Sequence, residues 1–197
     1  MIYSVTGRLV AKGENFAVLE MNGLALKTFT NPRTVESLSA VGSTLKFFCH
    51  LHVKEDALEL YGFKTEPELR FFELLISISG VGPKSALSIM EIAELKSLTA
   101  AIKEGRPDLL TRASGIGRKT AERIILELKN KVEVEKSEAA VKKMETDADL
   151  VETLVEFGYR RDQARAALEK VDEKIMNIED RLKAALKSLG GGAPRRS

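Results

Sequence analysis

One eight-residue pattern occurs twice in this chain of 197 residues, and it constrains the fold more than any other sequence feature. Residues 79–86 read Ser-Gly-Val-Gly-Pro-Lys-Ser-Ala, and residues 114–121 read Ser-Gly-Ile-Gly-Arg-Lys-Thr-Ala. The copies lie 35 residues apart, and five of the eight positions are identical. Each copy follows one segment of helical period and begins another, so the repeat predicts two similar helix–turn–helix units.

The chemistry of the repeat points to an anionic ligand. The paired glycines permit a sharp turn and close approach of a ligand to the backbone, and the residue between them, Val81 or Ile116, is expected to fill the space between the helices. The next helix begins with free amide groups and the positive end of its dipole. Lysines and hydroxyl side chains follow directly, at Lys84, Ser85, Lys119 and Thr120. None of these groups reads a base edge, so the expected contact is with sugar-phosphate, regardless of sequence.

Two other glycine motifs do not fit the repeat. A P-loop requires Gly-x4-Gly-Lys-Ser/Thr, but Pro83 precedes Lys84. A dinucleotide-binding fingerprint requires a third glycine where this chain has Ser85. A plain helix connector remains the alternative for a single copy, although two matching copies weigh against it.

The first 63 residues are predicted to form a small β-barrel. Five segments rich in aliphatic and aromatic residues are separated by turn residues, among them Asn22-Gly23, which is typical of a type I′ hairpin. Asn31 and Pro32 begin a short helix, 33–40, between the third and fourth strands. This element order is that of an OB-fold barrel, with another small barrel or meander as the alternative. The predicted strands are 2–11, 16–21, 24–30, 45–53 and 57–62.

From residue 64 the pattern is helical. Helices are predicted from residue 66 onward and over 84–90, 94–103, 106–112 and 119–131, which places an all-α domain at 64–132. Residues 133–146 are mixed in charge and poor in bulky apolar residues, so we expect a flexible linker, with a continuous solvated helix as the alternative. Three short amphipathic helices are predicted within 147–189, and a disordered tail at 190–197.

Composition excludes several classes of protein. The net charge is only +2, so nucleic-acid binding cannot be inferred from bulk charge. A single cysteine, Cys49, excludes an intrachain disulfide framework and suggests the reducing cytoplasm. No apolar run is long enough for a membrane span, and no signal peptide is recognisable. His50 and His52 share a strand face, but too few ligands surround them for a zinc site. No metal and no cofactor are therefore expected.

Three segments together resemble a known family. They are Glu55-Asp56-Ala57 with Leu60-Tyr61-Gly62-Phe63, Gly80-Val81-Gly82-Pro83-Lys84, and residues 115–123, Gly-Ile-Gly-Arg-Lys-Thr-Ala-Glu-Arg. The chain resembles the helix-hairpin-helix DNA-binding proteins, and among them the junction-binding subunits of bacterial branch-migration complexes. The resemblance covers residues 1–189. This chain differs from the family in the third strand. It has Gly23-Leu24-Ala25-Leu26 where the family often has Gly-aliphatic-Gly-Tyr, so no DNA contact is assigned to that strand.

The resemblance implies an α+β multidomain fold. It comprises an OB-fold barrel (1–63), a tandem helix-hairpin-helix domain (64–132) and a small C-terminal three-helix, UBA-like bundle (147–189). It implies a homotetramer, or an octamer on DNA, that holds a four-way junction open without catalysis. It further implies that 147–189 recruits a hexameric ATPase motor, with a junction resolvase as a further partner. The DNA-binding residues that it implies are Gly80, Val81, Gly82, Lys84, Ser85, Gly115, Ile116, Gly117, Arg118, Lys119, Thr120 and Arg123.

The resemblance also assigns a role to two acidic residues. Glu55 and Asp56 lie where the fourth strand turns into the fifth, and a solvated turn is their simplest interpretation. In the family such a pair forms a pin at the junction centre, where it repels phosphates. Two other function classes remain open: a helix-hairpin-helix repair enzyme, either glycosylase or nuclease, and an OB-fold RNA-binding protein.

Overall fold

The computed structural model describes residues 2–132, 138–172, 175 and 177–189. The chain divides into two compact units, one of residues 1–133 and one of residues 134–197. Among the described residues, all the strands lie in the first unit, together with both copies of the glycine repeat. The predicted tail, 190–197, lies outside the described residues.

The N-terminal part is a closed five-stranded barrel with the predicted OB-fold element order. Around the barrel the order is β1-β2-β3-β5-β4, with β3 and β5 parallel and all other neighbours antiparallel. Alternate side chains such as Leu9, Leu19 and Phe47 fill the interior. The strands are β1 (Ser4–Lys12), β2 (Phe16–Met21), β3 (Leu24–Phe29), β4 (Thr44–Val53) and β5 (Leu58–Phe63).

Two short sequence motifs form the local structures that were predicted for them. Asn22 and Gly23 have φ of 47° and 83°, the paired positive values of a type I′ turn. Asn31 caps the short helix α1 (Pro32–Glu36), where its side chain accepts a 2.7 Å hydrogen bond from the Thr34 amide. The helix ends four residues before the predicted Ala40.

Five helices complete the first unit: α2 (Glu66–Ile76), α3 (Pro83–Ile92), α4 (Leu95–Glu104), α5 (Pro107–Leu110) and α6 (Arg118–Leu128). A capping box of Thr65 and Glu68 starts α2. This helix packs on the barrel through Phe72, whose ring centroid lies 5.3 Å from that of Tyr61 and 4.8 Å from that of Phe63. His50 of β4 lies 3.1 Å from the Glu73 carboxylate of α2, so that it serves the contact between barrel and helices.

The repeat extends beyond the glycines to the packing of the helices. Positions 35 residues apart are buried in both copies, which makes α2–α3 and α5–α6 equivalent units. The equivalent buried pairs are Leu75 and Leu110, Ile78 and Ala113, Val81 and Ile116, Ala86 and Ala121, and Ile89 and Ile124.

The second unit is a three-helix bundle made of α7 (Glu138–Glu156), α8 (Arg161–Glu169) and α9 (Ile178–Ser188). Gly158, with φ of 92°, ends α7, and the Tyr159 amide donates to the Leu154 carbonyl across this end. Arg181 is buried in the bundle. Its guanidinium donates to Asp147 at 2.5 and 3.1 Å and to the Ile175 carbonyl at 3.1 Å, which joins α9 to α7.

The linker prediction is corrected over part of its length. α7 begins at Glu138, so residues 138–146 are helical, as in the alternative of a continuous helix. This stretch is rich in Ala, Glu, Lys and Met, which have high helix propensity even without an apolar face. Residues 133–137 lie outside the described residues. In the part of the chain that the structure describes, no helix is long and apolar enough to cross a membrane.

Candidate nucleic-acid interface

The two glycine hairpins have the same backbone geometry. The first glycine of each lies in the left-handed region, with φ of 89° at Gly80 and 77° at Gly115. One hydrogen bond closes each turn: the Val81 amide donates to the Ile78 carbonyl at 3.0 Å, and the Ile116 amide donates to the Ala113 carbonyl at 3.2 Å. The first glycine is required by the turn itself, because a positive φ strains any residue with a Cβ.

The residue between the glycines packs inward in both hairpins. Val81 and Ile116 are 4% and 5% exposed, as expected for residues that fill the space between two helices. Their amides are used inside the turn, so neither residue offers a side chain or a free donor to DNA. Both belong to the predicted DNA-binding set, but their place in the fold is one of support for the turn.

The second glycine of each hairpin has no structural reason to be glycine. Gly82 and Gly117 have φ of −87° and −81°, which any residue can adopt. A Cβ built at either position would have no heavy atom within 4 Å. The fold therefore tolerates a side chain at both positions, and the backbone at each glycine is open to solvent.

Both glycines directly precede a helix whose first turn has no side-chain cap. Gly82 is the N-cap residue of α3 and Gly117 that of α6. The side chains of Asn31, Thr65 and Asn177 cap α1, α2 and α9, whereas α4 and α5, like α3 and α6, have no side-chain cap. Two glycine-flanked helix ends thus present amide donors and the positive ends of their dipoles to the surface, which suits phosphate oxygens.

Basic side chains surround these helix ends. Lys84 and Lys119 occupy equivalent exposed positions, and neither has an ion pair among the described residues. Arg118 pairs with Glu122 one turn along α6 at 3.0 Å, with both side chains exposed. Such a surface pair contributes about 0.5 kcal/mol, so a phosphate can compete for Arg118. The hydroxyl-bearing Ser85 and Thr120 lie partly buried in the first turns of the helices.

Arg123, a member of the predicted DNA-binding set, makes a hydrogen bond within the protein. Its Nη1 donates a 2.7 Å hydrogen bond to the Ser79 carbonyl in the other hairpin. The same nitrogen lies 3.8 Å from the position that a Cβ at Gly80 would take, and Ser85 Oγ lies 3.7 Å from the corresponding position at Gly115. The two hairpins therefore touch each other, and Arg123 fixes the first relative to α6.

The acidic pair lies at the predicted hairpin tip. Glu55 and Asp56 are exposed between β4 and β5, in a turn closed by the Lys54 amide, which donates to the Ala57 carbonyl at 2.9 Å. Lys54 Nζ lies 2.9 Å from the Glu59 carboxylate. Together with a hydrogen bond from Tyr61, this contact lowers the pKa of Glu59. Lys54, which precedes the acidic pair in sequence, thus forms an ion pair with Glu59 of β5.

Family models match all three parts of the chain. Residues 1–62 match the RuvA N-terminal domain, residues 72–130 a SAM-like helix-hairpin-helix tandem, and residues 147–190 the RuvA C-terminal domain. A protein of Acetivibrio thermocellus described as Holliday junction branch migration complex subunit RuvA is 39% identical, over 96% of this chain and 98% of its own length. The chain belongs to the RuvA family.

Other RuvA relatives agree over nearly the whole length. Proteins with the same description in Dehalococcoides mccartyi and Clostridium perfringens are 39% and 37% identical. Each alignment covers 94% of this chain and 97% of the relative. The membership confirms the expected combination of OB-fold barrel, helix-hairpin-helix tandem and small C-terminal bundle.

The third strand is where this RuvA-family chain was expected to differ. Leu24 is 56% exposed at the start of β3, and Ala25 is exposed beside it. β3 nevertheless pairs with β2 in unbroken register. The pairing runs from Met21 opposite Leu24 to Phe16 opposite Phe29. Leu24 and Ala25 thus lie at the surface of a strand that pairs regularly in the barrel.

Sequence reasoning missed Ser79 as a member of the site. Its carbonyl receives the Arg123 hydrogen bond from 44 residues further along the chain. The contact is made in one direction only, and the sequence of the repeat contains a signal for this. The position equivalent to Arg123 in the first copy is Ser88, whose side chain is too short to make the reciprocal contact.

Proposed function

We propose that this chain binds four-way DNA junctions through the sugar-phosphate backbone and without regard to base sequence. The observation that carries the proposal is the pair of glycines Gly82 and Gly117, open to solvent at uncapped helix ends in equivalent hairpins. The description of the RuvA relatives as subunits of a Holliday junction complex supports a junction as the substrate. The contacting groups would be the first-turn amides of α3 and α6 with Lys84, Lys119 and Arg118.

Glu55 and Asp56 supply the preference for a junction over duplex. Two exposed carboxylates at a hairpin tip repel phosphates within several ångströms. A continuous duplex lying across the tip keeps its phosphates close, whereas the strands of an open junction diverge around it. The pair would therefore lower affinity for duplex more than affinity for junctions.

The chain would act as the non-catalytic subunit of a branch-migration complex. We propose a homotetramer, one subunit for each junction arm, with a second tetramer completing an octamer on DNA. Residues 147–189 would recruit a RuvB-like hexameric ATPase, and a RuvC-like resolvase would act on the same junction. The supporting facts are that the relatives are described as subunits of a complex and that this bundle has its own core. A complex of this kind works where bacterial DNA lies, in the cytoplasm.

The carboxylates of the helical domain do not favour a repair enzyme. Asp108 accepts hydrogen bonds from Arg106 at 3.0 and 2.7 Å, and this contact lowers the pKa of Asp108, which keeps the carboxylate ionised and engaged. Glu122 is paired with Arg118. Each is thus held by an arginine one turn or less away, in an arrangement typical of surface ion pairs.

A fragment experiment tests the division of labour. The fragment should end at Glu133, since Val132 is buried in the first unit and its amide donates to the Leu128 carbonyl. Fragment 1–133 should bind a four-way junction as the full chain does, but it should not support ATP-driven branch migration by a RuvB-type motor. If the fragment drives migration at the full rate, residues 147–189 do not recruit the motor.

A further inference from the structure

The tip of the β4–β5 hairpin extends beyond the closed barrel as a two-stranded ribbon. The ladder between β1 and β4 ends at Ser4 and Phe48, and the parallel ladder between β3 and β5 begins at Thr28 and Leu60. Past these points β4 and β5 pair with each other as far as Val53 and Leu58. The acidic turn lies at the end of this ribbon.

One face of the ribbon is the same strand face that points into the core within the barrel. At the tip, beyond the barrel, this face is exposed to solvent. Along β4, Cys49 is buried and Leu51 packs at the edge of the core, whereas Val53 is 65% exposed. Along β5, Leu60 is buried and Leu58 is 72% exposed. Val53 and Leu58 are directly paired across the strands, so the ribbon ends in an apolar pair next to the two carboxylates.

The opposite face of the ribbon is polar and internally bonded. Glu59 accepts hydrogen bonds from Lys54 and from Tyr61, each at 2.9 Å, and the His52 ring lies edge-on to Tyr61. These contacts hold the ribbon in place from one side only. In the part of the chain that the structure describes, Val53 and Leu58 are therefore held at a fixed position with most of each side chain exposed.

The size and charge of this tip indicate which kind of ligand can bind to it: a protein surface, a phosphate or a nucleobase. Two side chains offer only a small part of the ~800 Å² per partner that a stable protein interface buries, so the pair by itself does not make such an interface. A phosphate does not fit either, because Glu55 and Asp56 lie beside the pair and repel it. A nucleobase fits both features: its face is apolar, and its amino groups donate to carboxylates.

We propose that Val53 and Leu58 contact the faces of unstacked bases at the centre of the junction, while Glu55 and Asp56 accept hydrogen bonds from their amino groups. This inference rests on the proposed junction binding. Leucine and other apolar side chains are known to enter base steps as wedges, at a cost of a few kcal/mol for each unstacked step. At an open crossover this cost is lower, since stacking across the branch point is already interrupted there. The ribbon tip would thus hold bases apart as well as repel the backbone.

The test uses the full chain and a junction that carries aminopurine, a fluorescent adenine analogue that brightens on unstacking. One junction has the analogue next to the crossover and another has it in the middle of an arm. The variant replaces both side chains, as Val53→Thr with Leu58→Thr, which keeps residues that favour strands. Its matched control is Val41→Thr with Leu24→Thr, because both residues are 56% exposed elsewhere on the barrel.

Wild-type protein should brighten the crossover probe and leave the arm probe unchanged. The Val53/Leu58 variant should lose most of the increase at saturating protein, with junction affinity changed by less than about threefold, because the glycine hairpins supply the main contacts. The Val41/Leu24 control should retain the full increase.

Several outcomes would overturn the inference while leaving junction binding intact. One is a full fluorescence increase with the Val53/Leu58 variant, and another is no increase with wild type bound to the junction. A third is a changed oligomeric mass of the variant without DNA, measured by sedimentation, which would assign the apolar pair to contact with a second copy. Absence of preferential junction binding by wild type would instead refute the proposed function itself.

Discussion

Arg123 on α6 donates a 2.7 Å hydrogen bond to the carbonyl of Ser79, across the boundary between the two glycine hairpins. The contact ties the turn of the first hairpin to the helix that follows the second. Two phosphate sites are useful together only if their separation is fixed, since each then pre-organises the other. We therefore expect Arg123 to support DNA binding by holding the first hairpin in place against α6.

Replacing Arg123 tests this role. Arg123→Gln should speed amide exchange in the first hairpin, around Gly80 to Gly82, by roughly fivefold, the effect of losing about 1 kcal/mol from one hydrogen bond. Junction affinity should fall with it. Arg118→Gln is the matched control, since it removes the same charge from α6 but leaves the hairpin contact intact. Equal exchange in the two variants would mean that Arg123 is merely another phosphate contact.

The open glycines allow binding and stability to be separated. Gly82→Ser and Gly117→Ser each place a side chain where the fold has free space and add a good N-cap residue. Thermal stability should hold or rise by a few tenths of a kcal/mol, while affinity for every DNA sequence falls by a similar factor, because the side chain keeps phosphate from the amides. Gly80→Ser and Gly115→Ser are the counterpart pair. At these positive φ values they should cost about 1 kcal/mol of stability.

Two results with the glycine variants would refute phosphate binding at these helix ends. If Gly82→Ser and Gly117→Ser bind DNA as wild type does, the uncapped helix ends are not the phosphate sites. Loss of binding to one DNA sequence alone would equally contradict a contact with the backbone.

Neutralising the acidic tip should change selectivity. Glu55→Gln with Asp56→Asn should strengthen binding to linear duplex more than binding to a junction, because repulsion of phosphates is removed where they lie closest. The change should shrink as salt is raised, since exposed charges are screened over about 10 Å at about 0.1 M salt. Titrations of both DNAs at two salt concentrations measure it. An unchanged ratio of duplex to junction affinity would return the pair to an ordinary solvated turn.

The buried arginine of the C-terminal bundle predicts a large effect on stability. Asp147→Asn removes the carboxylate that faces Arg181, whose side chain is only 4% exposed. The loss should be on the order of 3 kcal/mol, because a buried charge is left without its partner. It should be seen as faster amide exchange in α7 to α9, with the first unit unchanged. The control Asp180→Asn breaks an exposed pair with Lys183 and should have little effect. Equal effects of the two variants would contradict this role for Arg181.

The sequence predicted what local chemistry determines. The Asn22-Gly23 turn and the Asn31 cap follow from backbone preferences of one or two residues, and both are found in the structure. The duplicated glycine motif likewise predicted two equivalent hairpins, because the same local sequence makes the same turn.

The sequence did not predict contacts that arise only from packing. The bond between Arg123 and Ser79 spans 44 residues, and that between Arg181 and Asp147 spans 34, so no local pattern reports either. The helical start at Glu138 was missed for a different reason. Helix propensity without an apolar face does not distinguish a helix from a linker in sequence.

The most direct test measures wild-type dissociation constants for four ligands in one buffer. These are two four-way junctions of unrelated base sequence, a linear duplex with the same arm sequence, and a single-stranded RNA. We expect equal affinity for the two junctions and at least about tenfold weaker binding of duplex and RNA, since backbone contacts carry no base information and only a junction opens around the acidic tip. Equal affinity for junction and duplex, a preference between the junctions, or tighter binding of RNA would contradict it.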